Sequence, residues 1–555
     1  MDRRSFLTAS GGGVAAMLAP ALARDMTGAL DTAYINGRIW TGAGPGLFTD
    51  ALGVKGDRIG AIGHAAVRSA TARSTRIVDL KGAFVTPGFV DAHVHFVKAS
   101  VMLTQPSLRT ADSPEDFVRR IGEAARKLPK GEWLQGGNWD QDRWGGQMPH
   151  RSWIDPVTAD TPVAVIRYDL HMMLLNSVAL KLAGIDRNTP DMPGGVIERD
   201  AQGEPTGIIK DAAKQLAFRA IGTPSDARID AAIRQGIALA LSKGVTGVHS
   251  TEIDWVSQAA FQRLNAAGSP GIRFRSYVPL ADWARQAKLI ADHGSGDDGM
   301  RLAGCKVVFD GSLGSRTALF YDPYVDDPST HGITVTDPAD LERWMMAADK
   351  AGLQIAVHAI GDKANDTVLD IMASVAAANG ERDRRFRIEH AQHLTPAAIS
   401  RFARQGVIAS IQPYHAVDDG RWAALRIGPD RLKTSFAFHS LIASGAHVCM
   451  GSDWPVAPID PLSGLKAAVL RETIDGKNPG GWYPEQRIGL AQALSGYTRG
   501  GAYAAFAERR LGVLAPGFLA DFTVFDTDLF AIDPERMTDA KVLRTVVDGV
   551  PRFVA

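Results

Sequence analysis

Cysteine is scarce in this 555-residue chain, which has two, Cys305 and Cys449. Two cysteines are too few for a disulfide framework or a cysteine-rich structural zinc site, so we interpret both as buried free thiols. An excess of charge of either sign is also missing, because 61 Lys and Arg residues balance 61 Asp and Glu residues. That balance argues against nucleic acid or an anionic membrane surface as the main partner.

Long apolar runs and nucleotide-binding turns are missing as well. After the N-terminal region, no stretch reaches the ~18 uninterrupted apolar residues of a membrane span. No Gly-x-Gly-x-x-Gly turn follows a strand-like run, which argues against a dinucleotide site. Hydrophobic residues make up 45% of the chain, so it can bury a large core in more than one domain. These features predict a soluble enzyme or binding protein.

The N-terminus resembles a twin-arginine export signal. Arg3 and Arg4 precede a weakly apolar run from Leu7 to Leu18, and Ala21-Leu22-Ala23 offers small residues for cleavage. A disordered basic tail is the alternative. The signal predicts residues 1–23 as a cleaved peptide, the twin-arginine machinery as a partner, and a periplasmic or secreted protein that is exported folded. The oligomeric state stays open.

The pattern of apolar runs predicts an α/β protein with two domains. Short β-type runs at both chain ends predict one discontinuous β-sandwich from residues 24–87 and 505–555. Between them, residues 88–504 alternate buried-strand runs with helical patterns, which favours a (β/α)8 TIM-type barrel over a doubly wound open sheet. A long insertion at about 98–240 is expected to cover the barrel mouth. The strand-like runs are 163–166, 247–249, 306–309, 354–358, 386–390, 407–411 and 448–453.

Metal-ligand residues occur at the ends of these strands. His93 and His95 end an apolar run, and residues two apart on a strand point to the same face, so both imidazoles can reach one metal ion. His358, His390 and Asp453 end three later strands. Singly, each could be a core histidine or a helix cap. Together at one barrel mouth they predict a site for zinc or a similar divalent metal.

Lys306 lies in a strand that is otherwise nearly free of charge. A buried, unpaired ammonium group is unfavourable, so its charge must be compensated or lost. An ion pair with Asp310 or another carboxylate is one interpretation, and a neutral lysine that acts as a base is a second. The third is carboxylation to a carbamate, whose two oxygens can bridge two metal ions.

This set of residues resembles the amidohydrolase superfamily of metal-dependent hydrolases. Further phrases resemble its family 3 branch, which includes N-substituted formamide deformylases. The matching phrases are Lys306 to Ala318, His358 to Asp362, Arg387 to Gln392, Gly451 to Val456 and Gly512 to Thr523. The resemblance covers nearly all of the chain after the signal and is specific for the branch, but not for the substrate.

The resemblance implies roles for the ligand residues. His93, His95 and Asp453 would bind the more buried metal, His358 and His390 the second, and carboxylated Lys306 would bridge them. Two zinc ions are implied, with manganese, iron or nickel as alternatives.

A metal can lower the pKa of a bound water to about 7, which provides a hydroxide nucleophile. Asp453 would be the catalytic residue that takes the proton and passes it to the leaving nitrogen. The expected reaction is hydrolysis of an amide, formamide or cyclic amide bond in a small molecule. The alternatives are a one-metal deaminase of the same superfamily and an exported binding protein without catalysis.

Four further residues are candidates for substrate contact. His171 and His415 follow strand-like runs, and could bind substrate or fix loops. Arg316 could hold a substrate carboxylate bidentately or form a structural ion pair. Trp139 lies in a Trp-rich segment, Trp133 to Trp153, which is either a substrate-facing lid or a satellite core.

Overall fold

The computed structural model describes residues 28–44, 46–103, 105–222, 225–251, 254–268 and 271–555. The predicted export signal at residues 1–23 lies outside these ranges. None of the helices in the described ranges is both long enough and apolar enough to cross a membrane.

The described chain alternates strands and helices throughout its length. The strands are β1 (Thr32–Ile35), β2 (Arg38–Trp40), β3 (Phe48–Thr49), β4 (Leu52–Lys55), β5 (Arg58–Ile62), β6 (Arg76–Asp79), β7 (Phe84–Pro87), β8 (Phe89–Val94), β9 (Gly137–Trp139), β10 (Ala164–Arg167), β11 (Met172–Leu175), β12 (Gly195–Arg199), β13 (Pro205–Asp211), β14 (Val245–Ser250), β15 (Arg273–Pro279), β16 (Met300–Val308), β17 (Gln354–Ala359), β18 (Arg387–His390), β19 (Ile408–Ile411), β20 (Val448–Met450), β21 (Phe522–Phe525), β22 (Val542–Val547) and β23 (Val550–Val554). The α-helices are α1 (His64–Ala70), α2 (Phe96–Met102), α3 (Pro114–Ala125), α4 (Arg151–Thr158), α5 (Ser177–Leu182), α6 (Lys214–Ile221), α7 (Asp226–Ser242), α8 (Trp255–Ala266), α9 (Trp283–His293), α10 (Pro338–Lys350), α11 (Asp362–Asn379), α12 (Pro396–Gln405), α13 (Pro413–Asp419), α14 (Ala423–Leu432), α15 (Phe438–Ala443), α16 (Pro461–Leu470), α17 (Leu490–Ser495) and α18 (Gly501–Ala504).

Eight parallel strands form the predicted barrel, which is confirmed. Their order is β8-β14-β15-β16-β17-β18-β19-β20, and a parallel bridge between Val94 and Trp454 joins the last strand's extension to the first strand. Two of the helices between the strands begin at clear polar caps. The Ser225 side chain accepts from the Arg228 N–H at α7, and the Thr395 side chain accepts from the Ala398 N–H at α12, where Pro396 follows the cap. The carboxyl ends of all eight strands therefore meet at one mouth.

One predicted barrel strand is wrong and one was missed. The run at 163–166 forms β10 in a separate sheet, and β15 takes a place in the barrel. An apolar run shows that a strand is buried but not which sheet it joins. β15 escaped notice because Arg273 and Arg275 interrupt its apolar pattern, although both side chains are buried in the fold.

The predicted insertion is a layer of its own over part of the barrel. It contains the mixed sheet β12-β13-β11-β10-β9 with helices α3 to α6. Helix α7 packs against α2 and β14, so the excursion from the barrel ends before Ser225 rather than near Ala240.

The two chain ends share one structural unit. A four-stranded sheet, β5-β4-β1-β6, faces a six-stranded sheet, β23-β22-β21-β7-β2-β3. In the second sheet, β21 from the C-terminal region pairs antiparallel with β7, with Thr523 opposite Thr86. Side chains of both sheets, among them Tyr34 and Phe522, pack in one core, as a β-sandwich requires.

Candidate functional site

The two histidines of the first strand meet the last strand's aspartate at the barrel mouth. His93 lies near the end of β8 and His95 directly after it, with ring centroids 5.7 Å apart. The Nε2 atoms of His93 and His95 lie 3.4 Å and 3.2 Å from Oδ1 of Asp453. The i and i+2 spacing therefore brings both imidazoles to one carboxylate oxygen.

A buried carboxylate fixes the orientation of His93. Nδ1 of His93 lies 2.6 Å from Oε2 of Glu389, and Nε of Arg387 lies 2.8 Å from the other carboxylate oxygen. Burial alone raises the pKa of Glu389, but Arg387 and His93 lower it more, so the pKa stands below its ordinary value. The ionised Glu389 holds the Nδ1–H of His93, and Nε2 of His93 is left without a partner among the described residues.

The next two histidines come from β17 and β18. The ring centroids of His358 and His390 are 4.5 Å apart, and those of His390 and His93 are 5.0 Å apart. Nε2 of His358 lies 3.1 Å from the Gly311 carbonyl oxygen. Burial, with neighbouring histidines, holds the pKa of His358 and of His390 well below the ordinary value. Both rings are therefore neutral near pH 7, which is the form that binds metals.

Asp453 follows β20 and is buried in a strained backbone position. Its φ is 61°, and that of His390 is 76°, values that non-glycine residues adopt mainly where the surrounding structure holds them. Gly451 makes the approach possible, because a Cβ there would lie 2.5 Å from the backbone nitrogen of His93. Burial alone raises the pKa of Asp453, but His93 and His95 lower it more, so the carboxyl is ionised.

Lys306 lies in β16 and lines the same cavity, with 2% of its surface exposed. Burial lowers the pKa of Lys306 to about 8, against the opposing effect of Glu389 and Asp453. A substantial fraction of the amine is therefore neutral near physiological pH. Of the three interpretations made from the sequence, an ion pair with Asp310 is disfavoured, because the Asp310 carboxylate accepts the backbone N–H groups of Leu319, Ile360 and Gly361.

The donor set fits a divalent metal ion. Ligand atoms of His93, His390 and Asp453 lie within 4.8 Å of one another. Nε2 of His93, Nδ1 of His390 and Oδ1 of Asp453 are buried and have no hydrogen-bond partner in the described part of the chain. Buried polar atoms without partners are rare and call for an explanation such as an ion. Imidazole nitrogens with a carboxylate are ligands that zinc and related metals accept.

A cavity of about 430 Å³ opens above these residues. Among the candidates for substrate contact, His171 and His415 line it. Nδ1 of His171 lies 2.6 Å from Oδ1 of Asp211, and its ring centroid is 5.3 Å from that of His358. Nε2 of His415 lies 3.7 Å from Oδ2 of Asp453. Both imidazoles thus lie beside the ligand cluster, which consists of His93, His95, His358, His390 and Asp453.

The structure does not bring Trp139 or Arg316 to the cavity. Trp139 is fully buried, its Nε1–H donates to the Val165 carbonyl at 2.9 Å, and its ring packs against Phe117. It belongs to the core of the insertion, which was the alternative interpretation, because strand pairing turns its ring inward. Arg316 pairs with Asp326 at 2.8 Å, so its guanidinium forms the structural ion pair instead of a substrate contact.

Several residues of the site were missed from the sequence. Glu389 lies in the family segment Arg387 to Gln392, and a charged residue within a buried strand could have indicated a role in the site. Asp418, Asp419 and Trp422 come from α13 and the turn after it, where no spacing pattern indicates which loops meet. Tyr168 and Asp169 come from the insertion, which was expected near the mouth but without named contacts.

Comparisons with known proteins identify the family of this chain. The model of the amidohydrolase family matches residues 76–553. The chain is 41% identical to Protein LONG AFTER FAR-RED 3 of Arabidopsis thaliana over 94% of this chain and 91% of the relative. It is 29% identical to the N-substituted formamide deformylase of Arthrobacter pascens over 95% of this chain and 99% of the relative.

A solved structure shares the same fold. It is an uncharacterized metal-dependent hydrolase from Pyrococcus horikoshii OT3, with a TM-score of 0.74 and 30% identity over 91% of this chain and 99% of that chain. Because the family model matches residues 76–553, most of its length, this chain belongs to the amidohydrolase family.

Proposed function

We propose that this protein is a metal-dependent hydrolase that cleaves carbon–nitrogen bonds of amides, formamides or cyclic amides. One observation carries the proposal: buried ligand atoms of His93, His390 and Asp453 converge within 4.8 Å and lack other partners. Membership of the amidohydrolase family supports hydrolysis. The likeness to an N-substituted formamide deformylase supports formamides within the proposed range.

The proposed metal ligands are six side chains of five barrel strands and their ends. His93, His95 and Asp453 would hold one ion, His358 and His390 a second, and Lys306 as a carbamate would bridge them. A neutral amine is the form that reacts with carbon dioxide, and burial of Lys306 supplies that form. When bound, such metals lower the pKa of water and polarise a carbonyl group.

The chain's own residues handle the proton and the substrate. Oδ2 of Asp453 is the proposed proton acceptor during attack on the carbonyl carbon, and the same oxygen returns the proton to the leaving nitrogen. His415, 3.7 Å from that oxygen, and His171, whose ring centroid is 5.3 Å from that of His358, lie beside these residues and would orient the amide. The insertion contributes Tyr168, Asp169 and His171 to the lining of the cavity.

Metal analysis combined with a substrate panel tests the proposal. We expect about two metal equivalents in purified protein and turnover of at least one N-formyl, N-acyl or cyclic amide. A single equivalent with release of ammonia from an aminated ring would favour the one-metal deaminase. Retained metal without turnover of any amide would favour a binding protein. Reconstitution with zinc, manganese, iron or nickel identifies the metal that supports activity.

The bridge is tested separately at Lys306. A Lys306→Ala variant is expected to lose metal and activity, and mass spectrometry of the native protein should show a labile carbamate. Lys288→Ala is the matched control, because Lys288 is exposed and pairs with Asp292 at 2.7 Å. Full metal content and full activity in Lys306→Ala would disprove the bridge.

Export by the twin-arginine route is part of the same proposal. The Arg3 and Arg4 pair and the apolar run after it support it. Replacing both arginines by lysine is expected to retain the protein inside the cell that makes it. Export that is unaffected by the double substitution would contradict this route.

A further inference from the structure

The far wall of the cavity carries a carboxyl group that stands apart from the ligand cluster. Asp419 is the last residue of α13 and lines the cavity, as does His415 one helical turn earlier. Residues four apart on a helix lie on one face, with Cβ atoms ~5–6 Å apart. His415 faces Asp453. Asp419 thus lies on the same face of α13 as His415, about one helical turn along the helix.

Asp419 is bound only by neutral donors. The Tyr168 hydroxyl donates to Oδ1 at 3.3 Å, and the Gln392 amide donates to Oδ2 at 3.2 Å. No Lys, Arg or His of the described residues lies within 4 Å of its carboxylate. By contrast, its neighbour Asp418 pairs with both Arg109 and Arg421.

The arginines near Asp419 are already used by other carboxylates. Ion pairs within 4 Å connect five aspartates and five arginines into one balanced network. Its members are Asp140, Asp142, Asp169, Asp326 and Asp418 with Arg109, Arg167, Arg316, Arg421 and Arg426. Asp419 accepts from the Tyr168 hydroxyl, and the Tyr168 ring lies against two arginines of the network, Arg109 and Arg167. Asp419 thus adds a sixth carboxylate without a sixth cation among the described residues.

A second observation on the same wall indicates a ligand. Trp422 lines the cavity, is 5% exposed, and its indole Nε1–H has no acceptor among the described residues. A buried indole N–H is usually paired. Among the described residues, Asp419 therefore has no cationic partner and the Trp422 indole N–H has no acceptor.

We propose that the cavity selects amides that carry a second, protonated amino group, which binds Asp419 while the amide lies at the metal ligands. The proposal rests on the proposed hydrolase function and specifies its substrate class. A linker of about three methylene groups between the amide and the ammonium group spans a distance similar to the ~5–6 Å between residues four apart on a helix.

The electrostatics of Asp419 agree with such a partner. Burial and the adjacent Asp418 raise the pKa of Asp419 to about 8. Without a cation, this carboxyl group therefore holds a proton at neutral pH. A bound ammonium group would replace that proton and form a charge-assisted hydrogen bond with the carboxylate.

Matched pairs of probes test this selectivity on the metal-loaded protein. N-(3-Aminopropyl)formamide is compared with N-butylformamide, and 4-aminobutanamide with pentanamide, so that an ammonium group replaces a methyl group on either side of the amide. Binding is measured by calorimetry and hydrolysis by kcat/KM. Both are measured for the native protein and for Asp419→Asn, Asp419→Glu and Asp292→Asn.

The native protein should prefer the ammonium member of at least one pair, and Asp419→Asn should reduce that preference by about 10–100-fold, as expected for a hydrogen bond between charged groups. Asp419→Glu keeps the charge and should retain more of the preference than Asp419→Asn. Asp292→Asn, a change on the exposed surface, should leave it unchanged.

Equal affinity of the native protein for both members of both pairs would overturn the proposal, and so would a preference that survives in Asp419→Asn. The proposed hydrolase function can fail independently. In that event the ammonium probe binds through Asp419, but no amide in the panel is hydrolysed.

Discussion

At the residue scale, two of the proposed ligand histidines, His93 and His358, are oriented by what their other nitrogen binds. His93 turns Nδ1 to Glu389, which leaves Nε2 for a metal, whereas His358 turns Nε2 to the Gly311 carbonyl, which leaves Nδ1. The partner atom thus selects both the tautomer and the ligand atom. Residues that touch no metal therefore take part in building the site.

Glu389 is the most informative position at which to test this idea. Glu389→Gln keeps an acceptor for the Nδ1–H of His93 but removes the negative charge that pairs with Arg387. We expect metal affinity to fall by about 10–100-fold, as for other partners of ligand histidines. Competition with a chromophoric chelator measures this affinity directly.

A purely structural role of Glu389 would change stability and leave metal affinity unaltered in the folded fraction, which would contradict the prediction. Glu342→Gln is the matched control. Glu342 lies at the surface and accepts a hydrogen bond from Ser374 at 2.7 Å, so its substitution should alter neither property.

At the element scale, strand β15 ties the barrel to the sandwich. Arg273 donates to both carboxylate oxygens of Asp521, at 2.6 Å and 2.8 Å, and to Asp548 at 2.5 Å. Arg273 and Asp521 are each 4% exposed at the side chain. Because Arg273 forms this contact between the barrel and the sandwich, the sequence of β15 lacks the apolar pattern of a barrel strand.

Replacing Arg273 should therefore lower the free energy of unfolding. Arg273→Met leaves the buried Asp521 without its cation, and breaking a buried ion pair in this way costs about 3–5 kcal/mol. The midpoint of thermal unfolding should fall clearly. Arg536→Met, at an exposed pair with Asp539, should change stability by about 0.5 kcal/mol at most; equal shifts in both variants would refute the argument.

The insertion sheet gives a second prediction at this scale. Trp139→Ala should destabilise the protein by about 3–5 kcal/mol, because it removes a fully buried aromatic side chain from the core with Phe117. The KM of the folded variant should stay close to the native value. Phe218→Ala, at an aromatic residue that lines the cavity, is expected to raise KM. A raised KM in Trp139→Ala with an unchanged KM in Phe218→Ala would instead indicate that Trp139 contacts the substrate.

At the scale of the whole molecule, regular periodicity determined how much could be predicted. The carboxyl ends of parallel barrel strands meet at one mouth, so His93, His358, His390 and Asp453 could be brought together from strand positions alone. Asp419 could not be placed in this way, because it does not end a barrel strand. Its partner Tyr168 lies 251 residues away, in the insertion. The barrel can be predicted from the repeated strand and helix pattern of the sequence. The residues of the far wall of the cavity depend on which loops contact each other, and no sequence pattern indicates that.

Metal should bind only where the whole barrel is closed, since its proposed ligands come from the first, the last and three intervening strands. A ligand that binds the folded state alone stabilises it by about 2.7 kcal/mol at 100 times its dissociation constant and about 4.1 kcal/mol at 1,000 times. The melting temperature should therefore fall on chelation and rise with added metal.

His390→Asn should abolish this dependence, whereas His64→Asn, at a surface histidine, should preserve it. Identical melting curves for chelated and metal-loaded native protein would show that the cluster binds no metal under those conditions, and would remove the basis of the proposed chemistry.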